Sequence, residues 1–148
     1  MTASWRVGLI GIVGSMAIAC GGDGTGPSSQ SIVGTWTATR IEIMSAANAS
    51  IKEEFVSQGF TLTIAFSAGN TFAATSKWPG ESTEGFNGIY AETNSNLTIT
   101  QTFPPPTLTL SFARSLSGNT LTLSGADVTY NFGAGTVLAK STWILARQ

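Results

Sequence analysis

The 148-residue sequence contains no histidine and only one cysteine, Cys20. Without histidine the chain lacks the usual ligands of zinc and copper sites, and it lacks the base of Ser-His-Asp and Cys-His nucleophiles. A single cysteine excludes an internal disulfide bond. We therefore expect no metal site, no cofactor and no catalytic residue of these common types.

Charged side chains are also scarce, with seven Lys and Arg against eight Asp and Glu and a net charge of −1. Nucleic-acid binding needs clustered basic side chains, and no such cluster occurs, so nucleic acid is not an expected partner. The close acidic pairs, Glu53 with Glu54 and Glu81 with Glu84, fall between predicted strands, where carboxylates are usually solvated rather than tuned for acid–base catalysis. The sequence predicts a protein that is not an enzyme.

A run of thirteen uncharged residues, 7–19, follows the basic residue Arg6. As a helix this run would span about 20 Å, which is too short for the roughly 30 Å hydrocarbon core of a bilayer. A basic start, a short apolar centre and small residues at the end are typical of a secretory signal peptide. We therefore predict a cleaved signal helix over residues 1–19.

The signal ends in the sequence AIAC, which resembles the lipobox of bacterial lipoproteins. The resemblance implies cleavage before Cys20, a diacylglyceryl group on its sulfur and acylation of the new amino terminus. More than one acyl chain gives stable anchoring, so the implied partner is a membrane of the bacterial cell envelope. In lipoproteins of this kind an aspartate directly after the cysteine tends to retain the protein in the inner membrane. Here Gly21 follows the cysteine and the first aspartate is Asp23, so the resemblance favours the outer membrane over the inner one. The alternative is an ordinary cleaved signal followed by an incidental or buried cysteine.

Residues 20–30 are rich in glycine and serine and contain Pro27, a composition typical of a flexible linker. The remainder, residues 31–148, has the length of one domain. Its many glycines and threonines and its low charge favour an all-β fold.

Apolar and polar residues alternate through this domain, as they do in strands with one buried face. The alternation predicts eight strands, at residues 34–44, 60–67, 71–77, 86–92, 96–102, 107–114, 119–132 and 136–147. Three consecutive prolines, residues 104–106, must lie in a connection because proline cannot sit in a paired central strand. Short strands joined by Gly-, Asn- and Ser-rich turns indicate an antiparallel barrel or sandwich.

The alternation breaks in two strands, and each break predicts a β-bulge. In the first strand the apolar positions change parity between Ala38 and Ile41, and one inserted residue near Thr39 or Arg40 would return both to one face. In the seventh strand the parity changes at Gly125. Bulged strands bend and allow a sheet to close, so we predict an all-β, eight-stranded antiparallel up-and-down barrel.

The sequence Gly34-Thr35-Trp36 at the start of the first strand, and Arg147 at the end of the last, resemble the first signature and the late arginine of lipocalins. The sequence SGNTLTLSG, residues 117–125, is similar to a late hairpin of bacterial lipocalin-like lipoproteins. The resemblance implies that Trp36 plugs the closed end of the barrel and that Arg147 lies across it in a cation–π contact, its charge satisfied by backbone carbonyls. The even strand count separately predicts that the two residues are neighbours.

Two functions remain open. One is a membrane-anchored lipoprotein whose lipocalin-like barrel binds a small hydrophobic ligand; the other is an envelope interaction or structural lipoprotein with a filled barrel. Six aromatic residues share the predicted inner face and fit either function: Phe60, Phe66, Phe72, Tyr90, Phe112 and Tyr130. Residues 45–59 do not alternate and predict either a short helix over the open end or a surface loop. The sequence indicates neither ligand contacts nor an oligomeric state.

Overall fold

Strands with one apolar face account for nearly all of the secondary structure. A computed structural model describes residues 31–148; the predicted signal, the linker and Cys20 lie outside the described residues. The strands are β1 (Gly34–Ser45), β2 (Lys52–Glu54), β3 (Thr61–Phe66), β4 (Thr71–Lys77), β5 (Glu84–Glu92), β6 (Asn96–Phe103), β7 (Leu108–Ser117), β8 (Thr120–Asn131) and β9 (Thr136–Arg147). One 3-10 turn, Val56–Gln58, is the helical part of this region. Between residues 31 and 148 no helix is long and apolar enough to cross a membrane.

The sheet closes on itself. From β3 to β9 each strand pairs antiparallel with the next, and β9 pairs with β1. The other side of β1 pairs with β3 along its first residues and with β2 near its end. Together β2 and β3 therefore occupy one position, which the 3-10 turn interrupts. The result is a closed antiparallel barrel with eight strand positions in up-and-down order, as the alternation predicted.

Both predicted bulges are present. The ladder between β1 and β9 skips Thr39, which returns Ile41 and Ile43 to the buried face. The ladder between β8 and β9 skips Gly125, whose φ of +83° lies in the left-handed region. Glycine adopts this conformation without the steric penalty of a Cβ atom, and the extra residue bends the strand. These two bends let long strands wrap the interior.

The segment 45–59 is neither a helix nor only a loop. Ser45 is the last residue of β1, and residues 46–51 lead into the three-residue strand β2 and then the 3-10 turn. Alternation could not predict β2, because its sequence KEE contains no apolar residue. The prolines at 104–106 lie between β6 and β7, as predicted.

The end where β1 begins and β9 ends is called the closed end here, and the opposite end is called the mouth. Packing is solid toward the closed end, where the fully buried side chains include Trp36, Ile64, Leu97, Phe112, Leu121, Leu123 and Leu145. Among the six predicted inner aromatics, Phe66, Phe72, Tyr90 and Phe112 are buried. The other two, Phe60 and Tyr130, are half-buried near the mouth.

Candidate functional site

The closed end is covered by side chains and by the chain that precedes β1. Trp36 pairs with Arg147 across the ladder and is fully buried, and its indole Nε1 donates to the carbonyl of Ile32 at 2.7 Å. The guanidinium carbon of Arg147 lies 4.3 Å from the centroid of the Trp36 ring. The two terminal nitrogens of Arg147 donate to the carbonyls of Val33 and Ser31, both at 2.8 Å. Arg147 therefore holds the incoming chain across this end of the barrel.

Cavities open at the mouth of the barrel. One of them, about 450 Å³, is at the rim of β4, β5 and β6 and has Glu84 in its wall. Two deeper cavities, of about 210 Å³ and about 160 Å³, lie inside the barrel. Phe86 lies in the wall of all three. The interior is thus packed at one end and hollow at the other.

The two deeper cavities are lined almost entirely by apolar side chains. Phe86, Leu110 and Trp143 belong to both walls. The larger cavity adds Ile41, Ile43, Phe55, Phe60, Leu62 and Val128, and the smaller adds Phe72, Ile99 and Leu108. Their polar residues are Ser76, Gln101 and Ser141, and no charged side chain of the described chain lines either cavity. Such walls suit an apolar molecule with few polar groups.

Ser141 brings a hydroxyl into the wall of the larger cavity. The residue is 1% exposed, and its Oγ accepts a hydrogen bond from Trp143 Nε1 at 2.8 Å. A serine hydroxyl is also a donor, and no group among residues 31–148 accepts a hydrogen bond from this one. Ser141 therefore adds a buried donor to a wall that is apolar apart from the half-buried Ser76.

A cluster of half-buried aromatic side chains covers one side of the mouth, and we call it the aromatic cluster: Phe55, Phe60, Trp78, Tyr130 and Phe132. The Phe55 ring centroid lies 5.2 Å from that of Trp78 and 5.6 Å from that of Tyr130. The Tyr130 hydroxyl donates to Glu53 at 2.7 Å, which joins β8 to β2. Burial, together with this hydrogen bond and the charge of Glu53, raises the pKa of Tyr130. The phenol therefore stays protonated and keeps donating at neutral pH.

Glu54 positions the segment that carries this cluster. Its carboxylate accepts hydrogen bonds from the backbone N–H groups of Ile41 at 3.1 Å, Val56 at 3.0 Å and Ser57 at 2.6 Å. Burial acts to raise the pKa of Glu54, but the hydrogen bonds from Ser57, Ile41 and Val56 outweigh it and lower the pKa to about 2. The ionised carboxylate thus fastens the 3-10 turn to β1.

The structure brings the predicted pair Trp36 and Arg147 together, whereas Cys20 lies outside the described residues. Sequence reasoning did not identify Trp143 or Ser141 as inner residues of the mouth. A signal was available, because both share the parity of Arg147 on β9, and a strand that turns Arg147 inward also turns these residues inward.

No protein-family model matches the sequence, and no curated protein matches it. Residues 31–148 also contain no group of three or more His, Cys, Asp or Glu side chains that could hold a metal ion. The geometry itself provides an apolar chamber, one buried hydroxyl donor and an opening at one end of a barrel.

Proposed function

We propose that this protein is a membrane-anchored lipoprotein of the bacterial envelope whose lipocalin-like barrel binds a small hydrophobic molecule beneath the mouth, without catalysis. The observation that carries the proposal is the pair of apolar cavities, of about 210 and 160 Å³, in a barrel whose closed end is filled by buried side chains. Eight-stranded barrels are wide enough to hold one small ligand, and ligand sites are mostly apolar with a few placed polar groups.

The proposed anchor is compatible with an accessible mouth. The lipobox-like sequence that ends at Cys20 supports acylation, and Gly21 supports the outer membrane as the favoured location. Ser31 lies at the closed end, because its carbonyl accepts a hydrogen bond from Arg147. The described chain thus begins, at Ser31, at the end opposite the cavities, and the proposed linker, residues 20–30, precedes it in the sequence.

A fluorescent apolar probe tests ligand binding. The full-length chain carrying Cys20→Ser, which has no thiol to acylate, is titrated with N-phenyl-1-naphthylamine and should enhance its fluorescence. Leu110→Trp, which adds bulk at the wall shared by both deeper cavities, should abolish the enhancement. Leu138→Trp is the matched control, because Leu138 is 68% exposed on the same barrel end and should leave binding unchanged.

The second candidate function is an envelope interaction or structural protein that takes no small ligand. The solid packing around Phe112 and Leu145 favours it, because that half of the interior has no room for a guest. Failure of the parent chain to enhance the probe, or equal enhancement by Leu110→Trp, would reject the binding function and leave this one.

Mass spectrometry of the protein purified from bacterial membranes tests the anchor separately. We expect a mature chain that begins at Cys20 and carries the mass of its acyl groups. An intact leader with an unmodified thiol would contradict the anchor and the envelope location that depends on it.

A further inference from the structure

We propose that the ligand of the barrel is electrically neutral and carries a hydrogen-bond acceptor, such as an ester, carbonyl or alcohol oxygen, that binds the hydroxyl of Ser141. This inference rests on the proposed binding function and names the chemical class of its ligand. It depends on the uncharged walls of the two deeper cavities and on one buried donor.

The cavity walls offer no partner to an ionised ligand. No charged side chain of the described chain lines either of the deeper cavities. Removing a carboxylate or an ammonium group from water is strongly unfavourable unless an opposite charge and hydrogen bonds meet it. A neutral molecule avoids this penalty and keeps the full gain from burying its apolar surface.

None of the basic side chains between residues 31 and 148 lines the cavities described above. Arg114 and Arg147 are at the closed end, where Arg114 donates to the carbonyl of Thr93 and Arg147 to that of Ser31. The others lie on outward-facing positions: Arg40 and Lys52 beside Glu42, Lys140 beside Asp127, and Lys77 at the end of β4. No basic side chain of residues 31–148 therefore lines either of the deeper cavities.

Charges of both signs lie around the mouth. Glu53 accepts the hydrogen bond of Tyr130 in the aromatic cluster, and Glu84 lines the rim cavity. Lys52 precedes Glu53 on β2, and Lys77 ends β4 at the same end of the barrel. The preference for a neutral ligand therefore rests on the uncharged walls of the two deeper cavities.

The Ser141 hydroxyl supplies the specific polar contact. Trp143 Nε1 donates to its oxygen, which leaves the hydroxyl hydrogen for an acceptor, and the described chain provides none. A buried donor without an acceptor is costly, so a guest oxygen at this position satisfies a group that a pure hydrocarbon leaves unpaired. The cavity therefore favours an acceptor-bearing molecule over an alkane of equal size.

Compounds of one chain length test the charge preference. The full-length Cys20→Ser chain is loaded with N-phenyl-1-naphthylamine at pH 7, and the probe is displaced with methyl decanoate, decan-1-ol, decyltrimethylammonium or decanoate. We expect the ester and the alcohol to displace the probe at concentrations at least about tenfold below those needed for decanoate and for decyltrimethylammonium. Decanoate that displaces as well as decan-1-ol would overturn the neutral-ligand inference.

Substitution of the donor tests the acceptor preference. Ser141→Ala should raise the concentration of methyl decanoate needed for displacement about fivefold, the effect of one neutral hydrogen bond. Probe affinity should stay unchanged, which also reports that the variant is folded. Ser141→Thr keeps a hydroxyl and should restore displacement, and Ser45→Ala, which removes a buried hydroxyl outside both cavity walls, should have no effect.

The outcomes separate this inference from the function on which it rests. If the probe itself does not bind the parent chain, the binding function fails. If the probe binds but Ser141→Ala displaces like the parent, the acceptor contact is wrong and the binding function stands.

Discussion

Arg147 lies over the indole ring of Trp36, with its guanidinium carbon 4.3 Å from the ring centroid, and so connects the last strand to the first across the closed end. The same guanidinium donates to the carbonyls of Ser31 and Val33. A planar group with several fixed donors can stack on a ring and bind two carbonyls at once, which an ammonium group cannot do equally well. The position therefore requires arginine rather than any cation.

Replacing Arg147 should destabilise the barrel. Arg147→Ala loses both hydrogen bonds and the ring contact and should lower the free energy of unfolding by about 2 kcal/mol, whereas Arg147→Lys should cost about 1 kcal/mol. Urea denaturation with an unchanged m-value measures the difference. Arg40→Ala is the control, because the Arg40 side chain is 46% exposed and its ion pair with Glu42 is worth less than about 1 kcal/mol. Equal losses at both positions would contradict the role of the Trp36–Arg147 pair.

Alanine substitutions at Gly88 and Gly125 should lower the stability of the barrel by different amounts. At Gly88 an added Cβ would lie 2.0 Å from the backbone oxygen of Thr100, so Gly88→Ala must displace a neighbouring strand and should cost about 3 kcal/mol or more. At Gly125 the space is open but φ is +83°, so Gly125→Ala should cost about 1 to 2 kcal/mol. Thermal unfolding of the two variants shows which one loses more stability. A smaller loss for Gly88→Ala than for Gly125→Ala would contradict the close approach of β5 and β6.

The ionisation of Glu54 should make the free energy of unfolding depend on pH. Its pKa is about 2 in the folded chain against an ordinary value of 4.5, so its contribution is complete above about pH 5 and disappears as the pH falls toward 2. Glu54→Gln should lower the free energy of unfolding at pH 7 by about 1 to 2 kcal/mol and should flatten the loss between pH 4.5 and 2. Urea titrations at several pH values measure both effects. Glu81→Gln, at an exposed position between β4 and β5, serves as the control. A parent-like acid profile in Glu54→Gln would show that other groups cause the pH dependence.

Solid packing toward the closed end predicts a large penalty for truncating Phe112. This side chain is 1% exposed and its ring centroid lies 4.9 Å from that of Trp143, so Phe112→Ala should cost about 3 to 5 kcal/mol. Phe103 is 59% exposed near the mouth, and Phe103→Ala should cost less than about 0.5 kcal/mol. Calorimetry distinguishes the two. A loss below about 1 kcal/mol at Phe112 would mean that this half of the interior is loosely filled.

The strand positions were predictable because each strand buries one face. In β3, for example, Leu62, Ile64 and Phe66 are buried and the residues between them are not, and this pattern is visible without coordinates. The bulges were predictable for the same reason, since a change of parity at Gly125 requires an extra residue if both parts of β8 face the same interior.

The elements that shape the mouth were not predictable in this way. Strand β2 has no apolar residue, and only its pairing with β1 and the hydrogen bonds of Glu54 keep it extended, which are tertiary interactions. The cavities depend on how large and small side chains face each other across the barrel. In β9 the inner positions include the small residues Ala139 and Ser141, so the inner face does not stand out as apolar and its free volume could not be derived from the sequence.

Pairing of the first and last strands of the barrel makes completion of the fold depend on β9. Until β9 arrives, β1 and β8 both present unpaired backbone groups, which are templates for aggregation, and pairing between distant parts of a chain is slow. A polypeptide that stopped before residue 136 would therefore form an open sheet in which β1 and β8 are unpaired edge strands, rather than a smaller barrel. A stop codon that removes β9 should therefore yield insoluble protein rather than a soluble barrel of lower stability.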